Sequence, residues 1–269
     1  MIQSIQEQHG IVGRTHELGD LLACIQAGRH VLLEGPVGVG KTAIAKAVAA
    51  ALDRGFVRVD GDGRYTESRL VGQFDPPMVL EQGYKPEAFL AGPLLRAMTD
   101  GGVLLLNELN RMPEGVQNVL LPSLDEGLLH VPHLGAMHAA TGFVVIATQN
   151  PAEFVATGDL SEALQDRFEL VKLDYQSEEE ERSIVAAQTR CAPSQAVIEQ
   201  AVRLARATRN DPRIRRGASV RAAIAIADIA MRLNGDVDRA ARLALPTRIE
   251  LVDERSGALD SILESLKKN

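Results

Sequence analysis

The chain has 269 residues, 45% of them hydrophobic and 24% charged, which is enough to bury a sizeable core in one large or two modest domains. Its net charge of -7 disfavours bulk attraction to nucleic-acid phosphates or to anionic lipid. No apolar run approaches the ~18 residues that span a bilayer, and residues 1–10 lack the pattern of a signal peptide, so the cytoplasm is the expected location. Cys24 and Cys191 lie far apart, which suggests neither a disulfide framework nor a cysteine metal site.

Short apolar runs alternate with helical patterns along the first two thirds of the chain. The runs are rich in Val and Leu and bounded by Gly, as is typical of strands that are buried on both faces. The predicted strands lie at residues 30–35, 56–60, 102–109, 142–148 and 168–175. Because a helical pattern separates successive strands, most clearly at residues 43–52, we expect an α/β fold with a parallel sheet.

The last third of the chain has a helical pattern throughout. Residues 196–210 and 219–235 carry apolar positions at helical spacing and Ala-rich faces. Ser177 precedes a run of four glutamates, a combination typical of a helix N-terminus. The sequence therefore predicts an α/β domain over residues 1–175 and a small all-α domain over residues 176–269.

The segment GPVGVGKT, residues 35–42, fits the phosphate-binding pattern G-x-x-x-x-G-K-[ST] and lies between a predicted strand and a predicted helix. Backbone N–H groups of such a loop converge on phosphate, and the helix N-terminus adds positive potential. Lys41 is expected to reach the β- and γ-phosphates, and Thr42 to hold Mg²⁺. A glycine-rich turn that binds nothing is the alternative. The predicted nucleotide-binding residues of the loop are Gly35, Pro36, Val37, Gly38, Val39, Gly40, Lys41 and Thr42.

Three later segments follow one another as in a known family of ATPases. LLLNELNR, VVIATQNP and LSEALQDRF resemble motifs of the MoxR branch of the AAA+ ATPases, close to the magnesium-chelatase group, and RRGASVRAA in the tail extends the likeness. The resemblance covers about residues 10–235. It implies a P-loop AAA+ domain with an α-helical lid, ATP and Mg²⁺ as cofactors, and a hexameric ring. Val12 and Gly13, in the segment VGR before the first strand, would join the nucleotide site.

The resemblance also implies roles for individual residues. Glu108 would polarise the attacking water, and Asn150 would sense the γ-phosphate. Arg167 would act as the arginine finger that enters a neighbouring subunit's site, and Arg221 as a lid arginine that senses the γ-phosphate. For both arginines the alternative is a solvated or structural ion pair.

Asn107 departs from the family pattern, which has an acidic residue before Glu108. In the family that residue accepts hydrogen bonds from water bound to Mg²⁺. The amide oxygen of Asn107 can accept such a bond without supplying a charge, so we expect weaker Mg²⁺ binding and slow turnover. On this reasoning Asn107→Asp should lower the Mg²⁺ requirement and raise the rate. Asn107 could instead only satisfy buried backbone at the strand end.

His130, His133 and His138 lie near residues 126–141, in a segment that resembles the hairpin inserted into the second helix in this branch, where rings contact substrates. Their spacing matches no standard ligand pattern, although three histidines beside a methionine could bind a soft metal. The sequence favours an exposed hairpin that faces a partner.

The resemblance implies an ATP-driven factor that remodels or assembles a protein client. The likeness is greatest to ATPases encoded beside carbon monoxide dehydrogenase and related enzymes, which makes a metalloenzyme one client class. Family members commonly work with a separate protein that contains a von Willebrand factor A domain. A nucleotide-gated scaffold with little hydrolysis stays open because of Asn107. A nucleic-acid motor is disfavoured by the acidic charge and by an aromatic content of 3%.

Overall fold

The computed structural model describes residues 1–150, 160–252, 261–262 and 264–265. The chain forms two compact units. The first contains residues 1–35 and 40–173, and the second contains residues 36–39 together with the chain from residue 174 onward. Four residues of the phosphate-binding loop thus belong to the second unit. No helix in the described part of the chain is long and apolar enough to cross a membrane.

The first unit alternates strands with helices, as the sequence predicts. Two short 3-10 turns, Pro86–Ala88 and Leu109–Arg111, lie between its elements. In chain order the elements are α1 (Ile2–His9), α2 (Thr15–Gln26), β1 (His30–Glu34), α3 (Lys41–Ala51), β2 (Phe56–Asp60), α4 (Glu67–Val71), β3 (Gly72–Phe74), α5 (Pro76–Gln82), β4 (Phe89–Ala91), α6 (Pro93–Thr99), β5 (Val103–Asn107), α7 (Glu114–Asn118), α8 (Leu121–Asp125), β6 (Leu128–Val131), β7 (Gly135–His138), β8 (Val144–Gln149), α9 (Glu162–Gln165) and β9 (Phe168–Lys172).

Five strands form one parallel sheet in the order β2-β5-β8-β1-β9. All five strands expected from the sequence are present, and the predicted α/β fold is confirmed. Residues 103–106 of the inner strand β5 are fully buried, as is typical of a parallel strand that is covered on both faces. This burial explains why the apolar residues of β5 form a continuous run. In a half-exposed strand, apolar and polar residues would alternate.

Parallel strands end at one edge of the sheet, and here that edge gathers polar residues. The register places Asp60 at the end of β2 opposite Asn107 at the end of β5. It also places Glu34 at the end of β1 opposite Gln149 at the end of β8. In open α/β sheets, ligands bind outside the carboxyl ends of the strands, so we expect a ligand site at this edge.

Two pairs of antiparallel strands lie outside the five-stranded sheet. β3 pairs with β4, and β6 pairs with β7. The β6–β7 hairpin lies within residues 126–141, where the sequence suggests an inserted hairpin. The β3–β4 pair, whose strands are separated by α5, is not predicted, because three-residue strands are too short to show a periodic pattern.

The second unit is mainly helical, as predicted. A two-stranded antiparallel ribbon, absent from the sequence prediction of an all-α domain, joins Ile214 and Arg216 to Leu251 and Glu250. The strands of this ribbon are only two or three residues long, so alternation is invisible in the sequence. In chain order the elements are α10 (Glu178–Gln188), α11 (Gln195–Asn210), β10 (Ile214–Arg216), α12 (Val220–Arg232), α13 (Val237–Ala244) and β11 (Glu250–Leu251).

Local sequence signals set the helix ends of the second unit. Ser177 caps α10 in a capping box with Glu180, so the acidic run begins a helix as expected. Asn234 and Gly235 adopt left-handed backbone angles after α12, which makes this Asn-Gly pair a stop signal. Buried alanines such as Ala205 and Ala223 let the helices approach closely.

His30, the first residue of β1, is neutral in the folded chain. Its Nδ1 accepts a hydrogen bond from the backbone N–H of Val145 at 2.9 Å, so the ring proton lies on Nε2, which is 3.2 Å from the carbonyl oxygen of Leu124. Burial lowers the pKa of His30 below its ordinary 6.5; the Leu124 carbonyl opposes this, Arg29 adds to it, and Asp125 opposes it. Protonation would turn the acceptor Nδ1 into a second donor facing the Val145 N–H.

We predict that stability falls as the pH drops below about 6.5, because unfolded His30 then binds a proton that the folded residue rejects. The contribution of His30 is fully present above the unfolded-state pKa and is lost as the pH falls toward the lower folded-state pKa. Denaturant unfolding at about pH 7.5 and about pH 5.5 measures the free energy of unfolding on both sides of this transition. His30→Gln should lose part of the pH dependence, whereas His16→Gln at an exposed position should retain it. Equal pH slopes in wild type and His30→Gln would contradict the assignment.

Candidate functional site

The phosphate-binding loop joins β1 to α3 at the carboxyl edge of the sheet. Gly38 and Gly40 have φ angles of 84° and 98°, which glycine adopts without strain. Gly40 precedes α3, and no side chain caps the first turn of this helix. Lys41 begins α3, and its Nζ donates to the carbonyl oxygen of Gly35 at 2.5 Å. The loop therefore combines a folded-back lysine with backbone N–H groups at a helix N-terminus, a combination suited to binding phosphate.

Gly38 belongs to the second unit, and within that unit it lies beside the start of α12. A Cβ atom at Gly38 would lie 2.4 Å from Oγ of Ser219 and 3.8 Å from Cδ of Arg221, so the approach leaves no room for a side chain. Nε of Arg209 donates to the carbonyl oxygen of Ala218 at 2.7 Å, which fixes the segment just before Ser219. The structure thus brings the predicted lid arginine, Arg221, next to one residue of the predicted loop.

A chain of side-chain hydrogen bonds joins the ends of β2, β5 and β8. Nδ2 of Asn107 donates to Oδ1 of Asp60 at 2.8 Å. The hydroxyl of Thr148 donates to Oδ1 of Asn107 at 3.0 Å and accepts from the backbone N–H of Glu108 at 2.9 Å. Both ends of the Asn107 amide are therefore held.

Asp60 and Thr148 are residues of this network that the sequence analysis does not single out. Thr148 has no signal beyond its place at the end of a predicted strand. Asp60 ends the predicted strand at residues 56–60, and only the strand order reveals that it faces Asn107. The guanidinium of Arg58 lowers the pKa of the Asp60 carboxyl, burial opposes this, and the hydrogen bond from Asn107 lowers it further.

Glu108 has an unusual backbone conformation just after β5. Its φ of 57° and ψ of 51° are left-handed, which is uncommon for a residue with a side chain and is often found at functional sites. Its carboxylate lies 3.1 Å from Nε of Arg111, and its side chain is about one-third exposed. A Cβ atom at Gly61 would lie 2.1 Å from the carbonyl oxygen of Glu108, so the β2 end passes too close for any other residue. Glu108 is thus held in place yet reachable from solvent.

Asn150 follows β8 and is buried, with 3% of its surface exposed. Residues 151–159, which include the last residue of the VVIATQNP segment, lie outside the described residues. The neighbouring Gln149 donates from Nε2 to Oε2 of Glu34 at 2.7 Å. This bond ties the end of β8 to the end of β1, where the phosphate-binding loop begins.

Arg167 forms an ion pair with Asp125, with Nη2 and Oδ2 2.6 Å apart, and also donates to the carbonyl oxygen of Ala163. The structural ion pair considered from the sequence therefore has a definite partner. Engagement of a neighbouring subunit would require Arg167 to leave Asp125.

Val12 and Gly13 precede α2. Gly13 has a φ of 64°, and its carbonyl oxygen accepts from Nε2 of Gln6 at 2.5 Å. Nε2 of Gln6 also lies 3.2 Å from Oγ1 of Thr15, so α1 holds this short segment in place.

The oxygen donors at the sheet edge suit Mg²⁺ chemically. They are the hydroxyl of Thr42, the amide of Asn107, and the carboxylates of Glu108 and Asp60. The described residues contain no group of three or more His, Cys, Asp or Glu side chains that could hold a metal ion by themselves. Mg²⁺ in nucleotide sites usually keeps several waters and is bound by one or two protein groups and the phosphates. The residues present therefore fit an ion that arrives with its nucleotide.

The histidines of the β6–β7 hairpin do not converge on one point in the structure. His133 stacks on Tyr84 with ring centroids 4.0 Å apart and an angle of 13° between the planes. Phe74 meets both of these rings edge-on. His133 thus packs in an aromatic cluster with β3 and with the segment that connects β3 to β4.

Several known proteins are similar to this chain in sequence or in fold. The AAA domain of the dynein-related subfamily matches residues 30–168. The gas vesicle ATPase GvpN of Haloferax mediterranei is 32% identical over 231 residues, which cover 80% of this chain and 65% of that protein. A solved structure of a protein from Cytophaga hutchinsonii has a similar fold, with a TM-score of 0.56 at 24% identity, and the match covers 99% of this chain and 93% of that chain.

The fold also resembles that of the Holliday junction branch migration motor RuvB of Thermotoga maritima. The TM-score is 0.56 at 19% identity, with 87% of this chain and 70% of that chain covered. At this identity the likeness concerns the fold alone.

We predict that Lys41→Ala weakens ATP binding about 10- to 100-fold, because charge-assisted hydrogen bonds to phosphate are lost. Calorimetric titration with ATP measures the affinity. Lys46→Ala, which removes an exposed lysine from the same helix, is the matched control and should bind like wild type. Thermal unfolding should show both variants folded. Wild-type affinity in Lys41→Ala would remove the loop from the nucleotide site.

Proposed function

Because the chain belongs to the AAA domain family, in its dynein-related subfamily, we propose that it is a MoxR-type ATPase that couples hydrolysis of Mg²⁺-bound ATP to the remodelling or assembly of a protein client. Its membership of the AAA+ ATPases confirms the family resemblance of the sequence motifs. One observation carries the proposal furthest. Lys41 and Glu108, the two residues that such a reaction needs most, follow β1 and β5 at the same edge of the parallel sheet.

In the proposed reaction, the loop at residues 35–42 and Lys41 bind the phosphates. Thr42 and Asn107 would hold the Mg²⁺ ion, directly or through its water, and bound Mg²⁺ supplies neutralisation of phosphate charge. Glu108 orients the attacking water and accepts its proton, for which the exposed part of its carboxylate is available. Asn150 reports the γ-phosphate, and Arg221 does so from the lid.

The proposal includes a homo-oligomeric, hexameric ring, because an arginine finger acts on a neighbouring subunit's nucleotide. Arg167 is the finger in this proposal. The client is a protein, and a metalloenzyme is the class that the family likeness implies. A separate protein with a von Willebrand factor A domain is the expected partner, and the cytoplasm is the expected compartment. The gas vesicle ATPase relative supports the ATPase part of this proposal.

A nucleotide-gated scaffold is the second candidate function. It is favoured by Asn107, which lacks the charge of the family's acidic residue, and by the ion pair that holds Glu108 against Arg111. Measured ATP turnover decides between the two: binding without turnover, in a protein that assembles on addition of ATP, would favour the scaffold. A nucleic-acid motor has no comparable observation in its favour, because the likeness to RuvB is one of fold.

We predict that Arg167→Ala binds ATP normally but turns it over about a thousandfold more slowly, as expected for loss of an arginine finger. Mixing it with Glu108→Gln should restore part of the activity. In a mixed ring, a site with Glu108 from one subunit can receive Arg167 from the other. Steady-state phosphate release measures the rates, and subunit exchange is checked with labelled protein. Mixed rings as inactive as their parents, despite exchange, would contradict a finger supplied in trans.

Asp125→Asn is the control that separates the finger from the structural ion pair. It removes the negative charge from the partner of Arg167 and leaves the arginine in place. If Arg167 acts as a finger, Asp125→Asn should retain turnover. If the ion pair alone matters, Asp125→Asn should lose as much activity as Arg167→Ala.

A further inference from the structure

Asp60 lies where the missing charge of position 107 could be replaced. It ends β2, the strand next to β5, and the two strands are in register at Asp60 and Asn107. The hydrogen bond between Nδ2 of Asn107 and Oδ1 of Asp60 is 2.8 Å long. A carboxylate thus lies one hydrogen bond away from the position that carries one in the family.

The carboxylate also determines which way the Asn107 amide faces. An ionised carboxylate can only accept hydrogen bonds, so the amide must present Nδ2 to Asp60. Its Oδ1 then faces Thr148, which donates to it at 3.0 Å. An amide oxygen has two lone pairs, and the Thr148 hydroxyl uses one of them. The Asp60 contact therefore keeps the acceptor end of the amide on the side of β8 and leaves it able to accept a further bond.

We propose that Asp60 and Asn107 together replace the family's single acidic residue, with Asp60 supplying the charge and orienting the amide whose oxygen accepts from Mg²⁺-bound water. Asp60 is a positioning residue in this scheme. The inference rests on the proposed ATPase function. It also explains why an asparagine stands at position 107. An aspartate there would face the Asp60 carboxylate at hydrogen-bond distance, and like charges at that distance repel.

The contact between Asp60 and Asn107 changes the expected effect of Asn107→Asp. From the sequence alone, this substitution is expected to lower the Mg²⁺ requirement. Without Asp60, restoring the acidic residue should strengthen Mg²⁺ binding. With Asp60 in place, it creates two adjacent carboxylates and removes the donor between them. Asn107→Asp should therefore not lower the Mg²⁺ requirement, whereas exchanging the two residues should preserve one charge and one amide.

Arg58 is the other partner of Asp60. Its Nη2 lies 2.6 Å from Oδ1, and its Nε lies 3.1 Å from both oxygens. Both side chains are about half exposed, so solvent screens this ion pair. The Arg58 guanidinium offsets part of the Asp60 charge and holds the carboxylate in place. It makes these contacts while Asn107 also donates to Asp60.

The test measures the affinity for a non-hydrolysable ATP analogue by calorimetry across a series of free Mg²⁺ concentrations and in EDTA. Asp60→Asn should need about fivefold more Mg²⁺ for half-maximal tightening, because a charge-assisted hydrogen bond becomes a neutral one. Its affinity in EDTA should not fall, whereas general damage to the site would weaken binding under both conditions. Asp62→Asn is the matched control: it neutralises a carboxylate two residues away that accepts from Arg64 N–H and should behave like wild type.

The exchange variant Asp60→Asn/Asn107→Asp provides the decisive comparison. It should return the Mg²⁺ requirement to within about twofold of wild type, whereas Asn107→Asp alone should not lower that requirement below the wild-type value. An Mg²⁺ series for Asp60→Asn equal to that of Asp62→Asn would overturn the inference, and so would a lower requirement in Asn107→Asp alone. If the wild-type protein binds no nucleotide at all, the proposed function fails, and this inference fails with it. Normal wild-type binding with an insensitive Asp60 overturns the inference alone.

Discussion

The side-chain hydrogen bonds that join three neighbouring strand ends are the feature on which the rest of the candidate site depends. Parallel strands leave their carboxyl ends at one edge of the sheet, where backbone pairing stops and polar side chains take over. Thr148 is the centre of this network, because one hydroxyl accepts from the Glu108 backbone and donates to the Asn107 amide. Asp60 completes it from the third strand. The polar edge therefore follows directly on the buried apolar strands β5 and β8.

This network gives Glu108 its position. A residue with a left-handed backbone persists only where its surroundings determine its conformation, and here the Thr148 hydroxyl holds the Glu108 N–H. The close passage of Gly61 against the Glu108 carbonyl leaves little room for movement. A carboxylate fixed through its backbone, with its side chain partly in solvent, is prepared to handle water without reorganising. Glu108 forms a salt bridge with Arg111, and a partly exposed pair of this kind is weak enough to be exchanged.

Asn107, at the same edge of the sheet, shows how much a departure from a family motif reveals when only the sequence is known. Asn107 is visible as a departure from the family, and its neutral amide predicts a loss of charge. The structure shows a charge retained on the adjacent strand, 47 residues earlier in the chain. Arg167 illustrates a similar point, because the motif assigns it to a neighbouring subunit while the folded chain pairs it with Asp125. In both cases the residue type is evident from the sequence and its partner is not.

The sequence by itself determined the elements whose signals are local. The five strands of the sheet, the loop at residues 35–42 and the helix start at Ser177 follow from apolar periodicity and from backbone preferences. Short elements could not be predicted from the sequence, because the strands of the β3–β4 pair and of the β10–β11 ribbon have too few residues to show a period.

Only the tertiary structure decided which residues meet. Strand order is set by packing of the whole sheet, so the neighbour of β5 at Asp60 cannot be found from a pattern in either strand. The Thr148 bridge has the same origin. Local sequence fixes where a strand ends, whereas the long-range pairing of strands fixes what its last side chain contacts, and the charge at this site depends on that contact.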